Sequence, residues 1–245
     1  MRYNRGMERI HISHHDRTMD ARLWLPAKKN FPVVVISHGF GGSCEDFAPL
    51  AEFLQKKGAG ALSFTFCGSG KQDLSGFPTT QMTLLSERDD LLAAADYARE
   101  IGGCTEIFLF GASQGGMVSA LAAQLCPEKF AGLALLYPAF CIPDDWNARY
   151  PDNVPEKTIL WDVALGREFF LTLRGMDVYR EMSAFRKKVV LMHGTKDDIG
   201  PIRYSERAAE CYPFARLIPF PGEGHGFSPP AMERVARETL ALLNL

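Results

Sequence analysis

Ile107-Phe-Leu-Phe-Gly-Ala-Ser-Gln-Gly-Gly-Met117 is the stretch of this chain that decides its fold. An apolar run leads into the pattern G-x-S-x-G and then into an alanine-rich segment, which is the order strand, tight turn, helix of a nucleophile elbow. Gly111 and Gly115 suit such an elbow because neighbouring backbone passes close to the turn on both sides. We therefore predict that Ser113 is an activated nucleophile rather than an ordinary exposed serine in a glycine turn.

A serine hydroxyl attacks well only when a base removes its proton and a third group orients that base. Two later loops carry the residues that this chemistry needs. Asp197 and Asp198 follow the apolar run Val189–His193, and His225 lies between glycines after the run Arg216–Phe220. The sequence predicts His225 as the base. It does not by itself separate Asp197 from Asp198 as the orienting acid.

A third loop is suited to stabilise an oxyanion, the negatively charged oxygen that forms during acyl transfer. The apolar run Val33–Ser37 ends in His38-Gly-Phe-Gly-Gly42, whose glycines let the backbone fold toward the serine. We predict that the backbone N–H groups of Phe40 and Gln114 are the two donors. For His38 we favour a structural role, in which its side chain braces the loop, over a catalytic one.

Strand-sized apolar runs alternate with helical patterns along the rest of the chain, and the first two strands read as a hairpin. This alternation predicts an α/β fold with a doubly wound, mostly parallel sheet. The predicted strands are Glu8–Ser13, Ala21–Leu25, Val33–Ser37, Ala61–Phe66, Glu106–Phe110, Gly132–Tyr137, Val189–His193 and Arg216–Phe220. The predicted helices are Cys44–Lys57, Leu84–Ile101, Met117–Leu125, Ile202–Cys211 and Pro230–Leu243.

The segment of about 141–185 interrupts this alternation, because one crossover between strands needs far fewer residues. Long insertions in compact domains are usually functional, so we predict a small cap on a single domain that spans residues 1–245. Each aromatic residue of the insertion has the alternative of packing only in the cap's own core. We predict that Trp161 contacts substrate and that Asp144 or Asp145 binds a hydroxyl group on it. The aromatic residues are Trp146, Tyr150, Trp161, Phe169, Phe170, Tyr179 and Phe185.

Together these segments resemble the α/β-hydrolase superfamily, in which the catalytic residues follow the chain order Ser, Asp, His. Within it, the chain is most similar to the small bacterial feruloyl (cinnamoyl) esterases, and the resemblance extends from about Met7 to Leu243. It also favours Asp197 over Asp198 as the acid. The motifs that carry it are His38-Gly-Phe-Gly-Gly42, Gly111-Ala-Ser-Gln-Gly-Gly116, His193-Gly-Thr-Lys-Asp-Asp198 and Gly224-His-Gly-Phe227, with an insertion after Tyr137-Pro-Ala-Phe140.

The resemblance implies an α/β-hydrolase fold and a serine carboxylesterase that hydrolyses small esters, either hydroxycinnamate or short-chain acyl esters, without a cofactor. The alternatives are an aminopeptidase or monoacylglycerol-lipase-type hydrolase with the same residues, and a catalytically silent binding protein. The chain departs from the relatives at Cys67-Gly-Ser-Gly70, where they often carry a basic residue or Asn and a histidine.

Composition narrows the classes of partner. The net charge is −2 and the sequence has no basic run, so we expect a small-molecule ester as partner and neither nucleic acid nor membrane. A homodimer remains open. The first ten residues lack the apolar core of a signal peptide, which favours a cytoplasmic protein. Without C-x-x-C spacing we expect no metal site and reduced, mostly buried thiols at Cys44, Cys67, Cys104, Cys126, Cys141 and Cys211.

Overall fold

An eight-stranded sheet forms the centre of the computed structural model, which describes residues 6–245. Its spatial order is β1-β2-β4-β3-β5-β6-β9-β10, in which β1 and β2 form an antiparallel hairpin, β2 pairs with β4 antiparallel, and the remaining pairs are parallel. The fold predicted from the sequence is therefore confirmed. The strands are β1 Glu8–His14, β2 Arg17–Trp24, β3 Phe31–Ser37, β4 Gly60–Phe64, β5 Cys104–Ala112, β6 Gly132–Leu136, β9 Lys188–Gly194 and β10 Ala215–Phe220.

Helices cover both faces of the sheet, because its central strands are apolar on both sides. In β3, Val33 and Val35 belong to one hydrophobic core, while Val34 and Ile36 belong to the other. The first core is covered by α2, α3 and α6, and the second by α1 and α7. These helices are α1 Ala48–Lys56, α2 Leu84–Arg99, α3 Gln114–Leu125, α6 Arg203–Cys211 and α7 Pro229–Leu242.

The cap inserted between β6 and β9 contains elements that the sequence did not predict. They are α4 Ile142–Arg149, the hairpin of β7 Lys157–Leu160 and β8 Val163–Gly166, and α5 Arg167–Leu171. The aromatic side chains of Phe169, Phe170, Tyr179 and Phe185 are buried and form much of the cap's core. For Phe170, Tyr179 and Phe185 the packing alternative holds, whereas Phe169 also lines the cavity at Ser113 that is described below.

Most predicted element boundaries agree with the structure to within one to three residues, and the largest differences, of four residues each, lie at the starts of β2 and α1. This helix begins at Ala48 rather than Cys44, because turns closed by hydrogen bonds from the N–H groups of Asp46 and Ala48 precede it. Pro49 then lies in its first turn, where a missing N–H costs no helical hydrogen bond. The fold comes from apolar periodicity, whereas the exact helix start depends on these local turns.

All six cysteines are free, but only Cys44, Cys67 and Cys141 are buried, so the expectation of mostly buried thiols holds for half of them. Within residues 6–245, no group of three or more His, Cys, Asp or Glu side chains is placed to hold a metal ion. In the same part of the chain, none of the helices combines the length and apolar character that crossing a bilayer requires.

Candidate active site

Ser113 lies in the turn between β5 and α3 with a backbone φ of 54° and ψ of −121°. A positive φ is uncommon for a residue with a side chain and persists only where the surrounding structure fixes it. Here the N–H of Ser113 donates to the carbonyl oxygen of Leu136 at 3.0 Å, and its own carbonyl accepts from the N–H of Ala139 at 2.9 Å. Residues at the end of the neighbouring strand β6 and just after it thus hold the turn in place.

The two glycines of the motif allow backbone to approach this turn closely. A Cβ at Gly115 would overlap the carbonyl oxygen of His38, and a Cβ at Gly111 would overlap that of Gly115. Any larger residue at either position would push the turn or the loop after β3 out of place. These contacts explain why G-x-S-x-G, rather than a serine in any turn, is needed here.

A chain of hydrogen bonds runs from the serine to a buried carboxylate. The Oγ of Ser113 is 2.7 Å from Nε2 of His225, and Nδ1 of the same ring is 2.8 Å from Oδ2 of Asp197. The three residues follow the carboxyl ends of β5, β10 and β9, which meet at one edge of the parallel sheet. The structure therefore brings together the three side chains that the sequence singled out.

Asp197 is held by four hydrogen-bonding groups. Its Oδ1 accepts from the backbone N–H groups of Ile199 at 3.0 Å and Gly200 at 2.8 Å, while its Oδ2 lies 3.2 Å from Nε2 of His193 as well as near His225. Burial alone would raise the pKa of Asp197, but the hydrogen bonds from the two histidines and Gly200 outweigh it and hold that pKa well below its usual range. The carboxylate is thus charged and fixed in orientation.

The structure distinguishes Asp197 from Asp198, the two adjacent acids between which the residue pattern alone did not decide. Asp197 is buried, whereas the next residue, Asp198, is exposed. The backbone hydrogen bonds from Ile199 and Gly200 turn the Asp197 side chain inward toward His225. Of the two acids, Asp197 is therefore the one whose carboxylate contacts His225.

His193 and Tyr137 support the site, and the sequence analysis gave neither a role. Nε2 of His193 is 2.6 Å from the carbonyl oxygen of Gly200, so this nitrogen carries a proton that also faces Asp197. Its Nδ1 lies 2.7 Å from the hydroxyl of Ser205, which can then act as donor. The ring of Tyr137 packs 4.9 Å from the His225 ring and limits its rotation.

The loop after β3 packs directly against the serine. A Cβ at Gly39 would be 3.2 Å from the Cβ of Ser113. The backbone N–H groups of Phe40 and Gln114 have no hydrogen-bond acceptor within residues 6–245, which leaves both available to a ligand. His38 is fully buried: its Nδ1 is 2.6 Å from the Gly39 carbonyl and its Nε2 is 3.0 Å from the N–H of Phe66.

These two contacts give His38 a structural role. Burial lowers the pKa of His38, so the neutral ring can donate from Nδ1 and accept at Nε2 at the same time. It therefore ties the loop after β3 to the segment after β4. No contact joins it to Ser113 or His225 among the hydrogen bonds of residues 6–245.

A cavity of about 240 Å³ opens at Ser113 and extends under the cap. Its wall is mainly apolar and aromatic, and its charged members are Asp145 and Arg149. The other lining residues are Phe40, Gln114, Ala139, Cys141, Ile142, Trp146, Leu160, Trp161, Phe169 and Ile199.

Of the three residues predicted to bind substrate, two line this cavity. Trp161 lies at the tip of the β7–β8 hairpin with φ 45°, is 65% exposed, and packs 5.9 Å from the ring of Phe40. Asp145 is the second. Asp144 is not in the lining, because its carboxylate accepts a hydrogen bond from the hydroxyl of Tyr204 at 3.0 Å.

The divergent loop Cys67-Gly-Ser-Gly70 lies outside the cavity lining. The N–H of Cys67 donates to Asp90 at 2.9 Å, and a Cβ at Gly70 would be 3.3 Å from the side chain of Val163. The loop therefore supports the cap hairpin rather than forming the floor of the cavity.

Two buried acids lie behind the elbow on α2, and the sequence analysis missed both. Glu87 accepts a hydrogen bond from the side-chain amide of Gln114 at 2.8 Å, and Asp90 lies 3.3 Å from the guanidinium of Arg17. Burial raises the pKa of Glu87 to about 8, although the Gln114 amide acts against this, and it raises the pKa of Asp90 to about 6. Glu87 is thus mostly protonated in the folded protein at neutral pH.

This raised pKa predicts how stability depends on pH. Folded Glu87 keeps its proton up to about pH 8, whereas the unfolded chain releases it near 4.5, so the free energy of unfolding falls as pH rises between these values. We expect Glu87→Gln to remove this fall, by up to about 1 kcal/mol per pH unit. Urea unfolding of both proteins at pH 5.5, 6.5 and 7.5 measures the difference.

Glu52→Gln is the control for this prediction, because Glu52 is an exposed acid on α1 that pairs with Lys56 at the surface. Its effect on unfolding free energy should not change across the same pH range. A constant difference between Glu87→Gln and wild type over that range would show that Glu87 is ionised in the folded protein.

The family comparison gives the chain's place among known proteins. The model of the Hydrolase_4 family, described as serine aminopeptidase, S33, matches residues 28–161, more than half of the chain. The chain belongs to the Hydrolase_4 family. This match confirms the resemblance to α/β-hydrolases inferred from the motifs, and it includes the loop after β3, the elbow and the tip of the cap hairpin.

The proteins to which this Hydrolase_4 chain is similar include two lipases and a protein described with ferulic acid bound. The chain is 26% identical to monoglyceride lipase of Rattus norvegicus over 117 residues, which is 48% of this chain but only 38% of the rat protein. Its fold is similar to that of Est1E from Butyrivibrio proteoclasticus with ferulic acid bound, with a TM-score of 0.88, 24% identity, and coverage of 96% and 100% of the two chains. It is also similar to a monoacylglycerol lipase of Paleococcus ferrophilus, with a TM-score of 0.71, 18% identity, and coverage of 92% and 98%.

Proposed function

We propose that the chain is a serine carboxylesterase that hydrolyses small esters through an acyl-enzyme on Ser113. The observation that carries this proposal is the hydrogen-bonded series Ser113, His225 and Asp197 at the mouth of an aromatic-lined cavity. A binding protein would not need a strained serine within 2.7 Å of an oriented imidazole.

In the proposed reaction, Oγ of Ser113 attacks the ester carbonyl carbon while Nε2 of His225 takes the hydroxyl proton. The carbonyl oxygen becomes an oxyanion that the N–H groups of Phe40 and Gln114 stabilise. His225 then passes its proton to the departing alcohol as the C–O bond breaks. Water repeats these steps on the acyl-enzyme and releases the acid, while Asp197 stabilises the imidazolium in both halves.

A planar hydroxycinnamoyl or short acyl group is the proposed acyl part of the substrate. The cavity of about 240 Å³ is small for a ligand site, and the rings of Phe40, Trp146, Trp161 and Phe169 give it flat apolar walls. Asp145 is the carboxylate available to a phenolic hydroxyl group. The fold similarity to Est1E, which is described with ferulic acid bound, supports the same class.

A monoacylglycerol hydrolase is the second candidate, and the sequence similarity to rat monoglyceride lipase favours it. A substrate panel separates the candidates: methyl ferulate, 4-nitrophenyl acetate, 1-monooleoylglycerol and an aminoacyl 4-nitroanilide. We expect kcat/KM for the first two to exceed the others at least tenfold, since a long acyl chain does not fit the small cavity. Preference for the monoglyceride or the anilide would support lipase or aminopeptidase activity, and no turnover would support a silent binding protein.

Trp161 gives a second test of the substrate class. We expect Trp161→Ala to raise the KM for methyl ferulate by roughly 5- to 150-fold, the equivalent of about 1 to 3 kcal/mol for an aromatic contact that becomes buried when the substrate binds. The KM for 4-nitrophenyl acetate should change less than about twofold, because its acyl group is too short to reach the ring. Steady-state kinetics on both esters measures this.

Ile159→Ala is the matched control, because Ile159 is an exposed residue of the same hairpin that does not line the cavity. It should leave both KM values unchanged. If Trp161→Ala affects both esters equally, or only lowers the melting temperature, Trp161 serves the cap's packing and the hydroxycinnamate proposal loses its main support.

A further inference from the structure

The side chain of Gln114 is anchored behind the elbow. Its amide nitrogen Nε2 donates to Oε2 of Glu87 at 2.8 Å, and the two residues are only 3% and 1% exposed. Glu87 belongs to α2, which packs against α3, so the bond joins the first residue of the elbow helix to a neighbouring helix. The chemistry proposed above uses the backbone of Gln114 and leaves this side-chain contact unexplained.

This anchor acts on one particular peptide group. The N–H of Gln114 belongs to the peptide that joins it to Ser113, whose backbone φ of 54° is strained. The carbonyl of that peptide is fixed by the N–H groups of Ala139 at 2.9 Å and Gly116 at 3.0 Å. The bond to Glu87 fixes the other side, so the direction of the N–H is set from both ends.

We propose that Glu87 is a positioning residue that holds the Gln114 side chain and thereby aims the Gln114 N–H at the oxyanion of the tetrahedral intermediate. This inference rests on the proposed function, because the oxyanion forms only in acyl transfer. An oxyanion donor must be in place before the charge develops, since a hydrogen bond that first has to reorganise stabilises the transition state less.

The first experiment removes the acceptor. We expect Glu87→Ala to lower kcat for 4-nitrophenyl acetate by about 10- to 100-fold with KM within about twofold, because an oxyanion contact is made mainly in the transition state. Glu87→Gln keeps an oxygen that accepts from the Gln114 amide and should recover kcat to within about threefold of wild type. Equal losses in both variants would overturn the proposal.

Two buried residues on α2 provide matched controls. Leu91→Ala removes a buried apolar side chain, which opens a cavity and lowers stability while the Glu87 acceptor is kept. Asp90→Asn neutralises the other buried acid while keeping an acceptor for the Cys67 N–H. Both should keep kcat within about threefold when assayed below their melting temperatures. A loss of kcat in Leu91→Ala that matches Glu87→Ala at equal stability would show that Glu87 serves only the fold.

A double-mutant cycle tests whether Glu87 acts through Gln114. Gln114→Ala keeps the backbone N–H but removes the anchored side chain, so we expect a loss of kcat similar to that of Glu87→Ala. The double variant should lose no more than Gln114→Ala alone, whereas multiplied losses would contradict the proposal. Wild-type turnover that persists in Ser113→Ala would instead refute the proposed function, whatever the Glu87 variants do.

Discussion

Replacing Ser113 with Ala should lower kcat/KM for ester hydrolysis by roughly four to six orders of magnitude and leave a folded protein. The variant loses the attacking oxygen, and any residual rate comes from the oxyanion donors and from substrate binding. Alanine can follow the backbone path of serine, so the melting temperature should change little. Hydrolysis of 4-nitrophenyl acetate, with circular dichroism as the check on folding, measures both quantities.

Ser119→Ala is the matched control for this substitution. Ser119 lies on α3, the helix that begins directly after Ser113, is fully buried, and donates to the carbonyl oxygen of Gly115 at 2.7 Å. Losing this hydroxyl should cost stability of about 1 kcal/mol while activity stays within a few-fold. A Ser113→Ala protein that keeps more than about one per cent of wild-type activity would contradict the assignment of the nucleophile.

The second large effect is expected when the two adjacent acids, Asp197 and Asp198, are replaced one at a time. We expect Asp197→Asn to lower kcat by about 10³- to 10⁴-fold, because an amide facing His225 favours the wrong tautomer and no longer stabilises the imidazolium. Asp198→Asn should change kcat by less than about threefold, since Asp198 is exposed. Measuring kcat of both variants in parallel compares substitution of the buried acid with substitution of the exposed acid next to it.

Comparable losses in the two variants, or a larger loss in Asp198→Asn, would contradict the hydrogen-bond geometry around His225. The melting temperature of Asp197→Asn must be measured too, because the same carboxylate also accepts from the N–H groups of Ile199 and Gly200. The asparagine oxygen can still accept these two bonds. We therefore expect the loss to lie mainly in kcat rather than in folding.

The sequence predicted the sheet and the three loops around Ser113 because each depends on local signals. Apolar runs of strand length define β3, β5, β6 and β9, and the residues that carry chemistry follow directly after strand ends. Glycines at positions such as Gly115 mark the close approaches between loops. Signals of this kind can be recognised in the sequence without knowledge of the tertiary structure.

The choice between neighbouring acids could not be made from the same signals. Asp197 and Asp198 share a loop, and only the tertiary hydrogen bonds turn one inward. Asp144 and Asp145 share α4, where consecutive residues point in directions about 100° apart. As a result Asp145 lines the cavity while Asp144 reaches Tyr204.

The cap hairpin was missed because its signals are weak. Its strands are only four residues each, and Trp161 and Asp162 form the turn in place of the Asn-Gly or Asp-Gly pairs typical of such hairpins. Glu87, in contrast, left a signal. It lies three residues after Leu84 and four before Leu91, on the apolar stripe of α2. An acid at such a position is buried when that stripe packs against the core.

Covalent labelling by a fluorophosphonate probe tests the central claim most directly, because the probe reacts only with a serine that a neighbouring base activates. Peptide mass spectrometry should find one label per chain, on Ser113, at a rate that methyl ferulate slows by competition. Ser113→Ala should remain unlabelled, and Asp197→Asn should react far more slowly than wild type. A label at another residue, or ester turnover by a protein that the probe does not modify, would contradict the account.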